Sequence, residues 1–349
     1  MATYKELDEA LKLAESLSTA DQIRELLRKR RGDEGVRISA ESKQQLVHRN
    51  LAEAIQAKSI DISELFNLIR LSEENGNQHV FYYRPRKRAI VETLSFETVA
   101  NHLWGASWAQ IVASYPLIKL KPNDYKYCDF RQLSERKPKD WILKIYGDDV
   151  VVRATGKVEK HGDGTIWREF VEEPLRIVLL ARWNNPDLLE VRVQRNESRR
   201  RIEEWHNRVW EMLKPAVLRE QFDPWVLTKP MGRIVTEEEK HPGMYTFRDA
   251  GVIDPRGDIH ANFQAFSEQG SLFTNLQTRE AITSYLNAKS ELRGLTVTWL
   301  RNEKAAPQSD LRTLLGMKES HEMIVAGHCL GGDLDYVTDQ LRFFGKGSS

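Results

Sequence analysis

Two acidic positions have the residue types that a metal-dependent nuclease site requires. Asp148 follows one strand-like segment and stands beside Asp149, and Glu159 lies in the next predicted strand, two residues after Lys157. Residues two apart in a strand project from the same face of a sheet, so Lys157 and Glu159 are expected to share a face. Converging carboxylates hold divalent cations that activate water. Charges that alternate along a solvated strand explain the same residues.

Cys329 is the candidate nucleophile. The segment Gly327-His328-Cys329-Leu330-Gly331 follows the apolar run MIVA and precedes a possible helix. It resembles the nucleophile elbow of the α/β-hydrolases, G-x-S-x-G, with cysteine in place of serine, which implies a cysteine hydrolase. In that fold a histidine follows the nucleophile in the chain, and no histidine follows Cys329 here. A tight glycine turn after a buried strand is the alternative.

Other catalytic and ligand-binding signatures are absent from the sequence. His321, His328 and Cys329 match no standard zinc spacing. The chain has no phosphate loop, dinucleotide fingerprint or metalloprotease motif. We therefore predict no metal site and no cofactor.

The stretch from Ser18 to Ala57 indicates a partner class more clearly. It reads as two short amphipathic helices joined by a basic, glycine-containing extended link. Ser18 and Asp21 fit a capping box for the first helix, and Ser39 is expected to cap the second. Basic residues crowd the end of the first helix, where cations suit the negative end of its dipole.

This pattern resembles the SAP family, a small helix–extended–helix DNA-binding motif. The matching segments are IRELLRKRRG (Ile23 to Gly32) and KQQLVHRNL (Lys43 to Leu51). In that family the basic residues between and at the ends of the helices meet the phosphate backbone. The resemblance therefore implies DNA contact by six cations: Arg28, Lys29, Arg30, Arg31, Lys43 and Arg49. A helical hairpin with a solvated basic edge is the alternative.

Two further basic clusters occur along the chain. The first follows the aromatic segment VFYY and the second opens a helix predicted from Ser198 to Lys214. Aromatic side chains beside arginines can stack bases and hold phosphates, whereas solvated charge clusters are the alternative. The residues are Arg84, Arg86, Lys87 and Arg88 in the first cluster, and Arg199, Arg200 and Arg201 in the second.

Composition limits these interpretations. The 349 residues carry 52 Lys and Arg against 51 Asp and Glu, a formal charge of +1, so nucleic-acid binding must come from local patches. The two cysteines, Cys128 and Cys329, exclude a disulfide framework. The charged N-terminus lacks the apolar core of a signal peptide, and no apolar run reaches the length of a membrane span. We expect a cytoplasmic protein, or a nuclear one in a eukaryote, without membrane association.

Periodicity predicts an α+β protein. Residues 1–75 are expected to form a helical block and residues 76–214 a middle domain, an antiparallel meander of four or five strands closed by a long helix. Residues 215–243 are expected to be a linker. Residues 244–344 are expected to form a small C-terminal α/β portion, in which Gln308 to Leu315 is a short helix between two strands.

This order of segments resembles the kinetochore family of centromere protein N. The likeness is architectural: a helical block, a meander closed by a long helix, then a C-terminal α+β portion. That family binds DNA in chromatin and works beside a partner subunit, so the resemblance implies both kinds of partner.

Our first hypothesis is a DNA-binding subunit of a larger assembly, acting through basic patches that contact the phosphate backbone. The alternatives are a metal-dependent nuclease or cysteine hydrolase, and a protein-interaction scaffold whose charges are solvated.

Overall fold

The computed structural model has an α+β fold, as predicted. It describes residues 4–107, 124–134, 137–160, 163, 165–184, 186–195, 201–254, 256–257, 260–265, 271–288, 290–302 and 306–346. The chain forms two compact units, the first comprising Met1–Arg84 with Asp223–Ser349 and the second Pro85–Phe222. These units divide the chain at points different from the predicted boundaries at residues 75, 214 and 243.

Helices and strands are numbered here in chain order. The helices are α1 Tyr4–Leu17, α2 Ala20–Arg28, α3 (Lys43–Gln45, a π segment Leu46–Leu51, and Ala52–Gln56), α4 Ile62–Glu74, α5 Arg88–Glu92, α6 Phe96–Trp104, α7 Ile202–Leu213, α8 Thr228–Thr236, α9 Leu276–Asn287 and α10 Gly331–Lys346. The strands are β1 Gly76–Pro85, β2 Tyr125–Ser134, β3 Lys137–Lys160, β4 Ile166–Asn184, β5 Leu188–Gln194, β6 Phe222–Pro224, β7 Tyr245–Ile253, β8 His260–Gln264, β9 Glu291–Trp299, β10 Leu311–Leu315 and β11 Glu322–His328.

The first four helices pack around one apolar core. Ile23 and Leu27 of α2 lie against Leu46 and Leu51 of α3, all four fully buried. The same core includes Ala10, Leu11 and Ala14 of α1 and Leu65 and Ile69 of α4. The two helices of the SAP-like segment are therefore half of a four-helix block.

Helix caps in this block follow the expected chemistry with a shift of register. Asp61 and Glu64 form the predicted capping box of α4. The box predicted for α2 at Ser18 and Asp21 is wrong, since Thr19 and Gln22 form it. The hydroxyl of Ser18 instead meets that of Ser72 at 2.8 Å. Helix α3 is capped by Ser42 and not by Ser39.

Besides these helices, the first unit contains a six-stranded antiparallel sheet, in the order β1-β11-β10-β9-β7-β8, and the helices α8, α9 and α10. The short helix predicted over Gln308 to Leu315 is wrong, because Leu311–Leu315 is strand β10, hydrogen-bonded between β9 and β11. Helix α8 lies inside the predicted linker, and its Met231, Ile234 and Val235 side chains are buried.

The second unit contains the predicted antiparallel meander, with strands β2, β3, β4 and β5 in sequential order. The break predicted at Gly147-Asp148 is wrong, since both residues lie inside the 24-residue strand β3. Helix α7 has the predicted buried face, made of Ile202, Trp205, Val209, Trp210 and Leu213.

Strands β3 and β4 continue past their neighbours as a two-stranded ribbon. The pairing of β2 with β3 ends at Gly147, and the pairing of β5 with β4 begins at Leu179. From Val150 to Glu173 the described pairings join only β3 and β4 to each other. We call this segment the arm.

Among the described residues, no helix has the length and apolar character needed to cross a bilayer.

Candidate nucleic-acid interface

The SAP-like segment presents its cations from a fixed helical platform. Helix α2 ends at Arg28, and the chain then turns through residues 29–35 before reaching α3. The apolar sides of α2 and α3 are buried against each other. Arg28 and the three basic residues after it therefore lie on the outer side of a packed helix end.

The link between α2 and α3 is held to the block by hydrogen bonds. The Ser59 hydroxyl donates to the carbonyl of Glu34 at 2.6 Å, and the Asn50 amide donates to the carbonyl of Ser39 at 2.9 Å. These two bonds attach separate points of the link to α3 and to the turn that follows it. Hydrogen bonds at these two points therefore hold the link, which follows the cations, against the block.

Three of the six predicted contact residues form ion pairs with neighbouring carboxylates. Lys29 lies 3.5 Å from Glu25, and Arg49 lies 3.6 Å from Glu53, each one helical turn away. Arg30 donates to both carboxylate oxygens of Glu64 in α4, at 3.2 and 3.3 Å. All three cations remain solvent-exposed, where such pairs contribute about 0–1 kcal/mol.

Arg28 and Arg31 differ from these three. Both side chains are exposed, and within the described part of the chain neither guanidinium has a carboxylate within ion-pair distance. They stand three residues apart, and the amide of Arg31 donates to the carbonyl of Arg28 at 3.2 Å. Two adjacent uncompensated guanidinium groups form a small positive patch.

Lys43, the sixth predicted contact residue, is partly buried at the first turn of α3. Burial lowers the pKa of its ammonium group, an effect that the nearby charge of Glu15 opposes. The carboxylate of Glu15 also meets Nε2 of His48 at 2.8 Å. Lys43 is therefore less available to an external anion than Arg28 or Arg31.

The cluster after strand β1 is divided between the two units. Arg84 belongs to the first unit, where its guanidinium lies over the Trp225 ring, 4.4 Å from the ring centroid. In the second unit, Arg86, Lys87 and Arg88 are exposed at the start of α5. No sequence signal linked Arg84 to a tryptophan about 140 residues later.

The third cluster is only partly described. Arg199 and Arg200 lie outside the described residues. Arg201 is partly buried and immediately precedes α7. Arg201 is thus the one member of this cluster that lies within the described residues.

Cys329 has the predicted strand–turn–helix setting between β11 and α10. The turn is fixed by Asp333, whose carboxylate accepts from the amides of Leu330 at 3.1 Å and Gln308 at 2.9 Å. Cys329 is buried and has no positive φ, so the strained backbone that exposes the nucleophile of an elbow is not formed. The sheet around it is antiparallel rather than parallel.

A cleft of about 350 Å³ lies beside this turn, lined by the α2 residues Gln22, Glu25 and Arg28 and by His328 and Cys329. Burial lowers the pKa of His328, and the positive charge of Lys43 lowers it further. The imidazole is therefore neutral near pH 7.

The two acidic candidates do not meet. Glu159 does not lie in the strand after Asp148, because both belong to β3, and their partners Arg176 and Trp167 lie nine residues apart on β4. At 3.3 Å per residue their Cα atoms are about 30 Å apart, too far for one metal ion. No group of three or more His, Cys, Asp or Glu residues with metal-binding geometry occurs in the described part of the chain.

Comparison with known proteins gives no relative: no family model matches the chain, and no curated protein matches it significantly.

Proposed function

We propose that the N-terminal helical block binds the phosphate backbone of DNA, with the Arg28–Arg31 segment as the contact site. The observation that carries this proposal is the pair of exposed guanidinium groups, Arg28 and Arg31, which have no carboxylate partner in the described structure. Guanidinium groups bind phosphate oxygens through paired, charge-assisted hydrogen bonds.

Lys29 and Arg30 extend this site. Their ion pairs with Glu25 and Glu64 are exposed, so a phosphate group can replace either carboxylate at small cost. Four consecutive cations, of which Arg28 is the last residue of α2, then form the site. Since the link is hydrogen-bonded to the block, little conformational entropy is lost when DNA binds.

The proposed contacts carry no sequence information. Phosphate contacts fix the position of a protein on a duplex, whereas base edges in the grooves specify sequence. We therefore propose binding that is independent of base sequence, by a protein that acts as a subunit beside other DNA-bound components.

The test is fluorescence-anisotropy titration of a random-sequence duplex with the full chain, at about 50 mM and about 200 mM salt. The variants are Arg28→Ala/Arg31→Ala and the matched control Lys12→Ala/Arg24→Ala. The control removes the same charge from cations that Asp8 and Asp21 already neutralise.

Wild type and the control are expected to bind, more weakly at the higher salt concentration. The Arg28/Arg31 variant should bind more weakly, with a salt slope smaller by about two. Absence of binding by the wild type at low salt, or equal loss in both double variants, would contradict the proposal.

A further inference from the structure

The arm exposes apolar side chains that the rest of the described chain does not cover. Val152 and Phe170 are each 59% exposed, Ile166 is 55% exposed and Val158 is 51% exposed. Contiguous apolar surface of this kind marks an interaction site in a soluble protein. The question is which partner the surface fits.

The register of β3 and β4 assigns these side chains to one face of the arm. Directly opposite residues share a face, and the opposite pairs are Val152 with Glu172, Ala154 with Phe170, Val158 with Arg168 and Lys160 with Ile166. We call this surface the valine face. Between Ala154 and Val158 a bulge on β3 keeps the valines in step with β4.

The opposite face of the arm has a different chemistry. It carries a polar cluster in which the Thr155 hydroxyl donates to Glu169 at 2.7 Å and the Lys157 ammonium lies 3.4 Å from the same carboxylate. Val171 and Trp167 are exposed apolar residues on that side, and the polar row that contains Glu169 separates them. Continuous apolar surface therefore belongs to the valine face.

Two copies of the valine face are complementary to each other when a two-fold rotation relates them. Phe170 and Ala154 form its central row. The row toward the tip contains Val158 and Arg168, and the row toward the body contains Val152 and Glu172. Arg168 and Glu172 are both exposed, and neither has an ion-pair partner in the described structure. When a second valine face lies over the first with its strands running in the opposite direction, Arg168 of one face lies over Glu172 of the other. Val158 of one face then lies over Val152 of the other.

We propose that the valine face packs against the valine face of a second copy of this chain. The two-fold axis crosses the strands at Phe170, so that Phe170 meets its equivalent. Arg168 of each copy then pairs with Glu172 of the other. A parallel arrangement would place each charge over a valine, so the charges select the antiparallel one. This proposal is independent of DNA binding.

The expected contact is small. Eight residues of a strand extend about 26 Å, and the ribbon is about 10 Å wide including side chains, which gives a few hundred Å² per copy. Stable interfaces bury about 800 Å² per partner. The dimer should therefore be weak and reversible, with dissociation measurable between about 1 µM and about 1 mM.

Sedimentation equilibrium of the full chain from about 1 µM to about 1 mM tests the proposal. The variants are Arg168→Glu, Glu172→Arg and the double reversal. Each single reversal creates two like-charge contacts across the axis and should weaken the dimer about tenfold or more. The double reversal restores both ion pairs and should return dissociation to within about threefold of the wild type.

Phe170→Thr and Val171→Thr form the matched pair for the two faces. The first removes an apolar side chain from the central row and should abolish the dimer, whereas the second acts on the opposite face and should not. A wild-type monomer throughout this range would overturn the proposal, as would single reversals without effect or a double reversal that fails to rescue.

Discussion

Gly76 occupies a position where the backbone leaves no room for a side chain. Its φ is +95°, a conformation that favours glycine. It also pairs with His328 at the β1–β11 junction, where a Cβ atom would lie 2.5 Å from the Gly327 carbonyl oxygen and from the His328 Cα. Both constraints come from backbone atoms, which cannot move aside as a flexible side chain can.

Substitution of Gly76 by alanine should therefore be severely destabilising, by about 3 kcal/mol or more. Gly32 provides the control, since its φ is +101° but a Cβ there would meet no atom within 4 Å. Gly32→Ala should cost only about 1–2 kcal/mol of conformational strain. Urea denaturation of both variants measures the difference, and equal losses would show that the β1–β11 approach is not the cause.

The stability contributed by His328 should depend on pH. Its pKa is lowered from 6.5, first by burial and then by the charge of Lys43. A histidine with a lowered folded pKa contributes stability above its unfolded pKa, and that contribution is lost as the pH falls below 6.5 toward the folded value.

Wild type should therefore lose more stability than His328→Gln between about pH 7.5 and about pH 5.5. The glutamine side chain of the variant cannot take up this proton, so the variant lacks this part of the loss of stability. Urea denaturation of both proteins at the two pH values isolates the contribution, because the other titrating groups are common to both. An identical loss in wild type and variant would contradict the assignment.

Strands β1 and β11 are also joined by a buried polar pair. Nδ1 of His79 lies 2.6 Å from a carboxylate oxygen of Glu322, and both residues are almost completely buried. Among the described residues, the second oxygen of Glu322 has no hydrogen-bond partner. A carboxylate satisfied at one oxygen depends strongly on its remaining partner.

His79→Leu should cost about 3 kcal/mol or more, because it leaves the Glu322 carboxylate buried without its partner. The double variant His79→Leu/Glu322→Leu should cost less than the single one, since neither polar group then remains. Chemical denaturation of the two variants and of Glu322→Leu completes the cycle. If the double variant loses as much free energy of unfolding as the two single variants together, the two side chains are not coupled.

At the scale of elements, local chemistry predicted much of the fold. The capping box of α4 at Asp61 and Glu64, the buried face of α7 and the antiparallel meander were all predicted correctly. Each depends on residues within a few positions of one another.

Two of the wrong predictions have long-range causes, and one results from the shortness of a segment. Ser18 does not cap α2, because its hydroxyl is engaged by Ser72, 54 residues away. Gly147 was taken as a turn, but it lies in a strand where a Cβ would clash with the Tyr125 ring. Strand β10, with the sequence LRTLL, is too short for its apolar period to distinguish helix from strand.

The proposed DNA site shows the same limit. Exposure of Arg28 and Arg31 was readable from their position beyond the apolar side of α2. The ion pair of Arg30 with Glu64 was not readable from the sequence, because it depends on how α4 packs against the link.

At the scale of the whole molecule, the charge is nearly balanced, with a formal value of +1. Such a protein does not attract nucleic acid through its overall field, so a few local contacts must supply the affinity. In the proposed site, two uncompensated arginines and two exchangeable cations set the number of contacts.

The logarithm of the wild-type DNA affinity should therefore fall against the logarithm of salt concentration with a slope of about −2 to −4. Anisotropy titrations at several salt concentrations measure this slope. A value near −8 would mean that the other basic clusters also contact the backbone, and a slope near zero would exclude phosphate contacts.

The pairing of β1 with β11 has a consequence for synthesis of the chain. Gly76 leaves the ribosome about 250 residues before its partner His328. Synthesis of the residues between them takes about 12–50 s at ordinary translation rates. Throughout that interval the apolar segment from Val80 to Tyr83 has no β11 to pair with. The first unit can complete its sheet only after the second unit has been synthesised, and a transiently unpaired apolar strand of this kind is prone to aggregation.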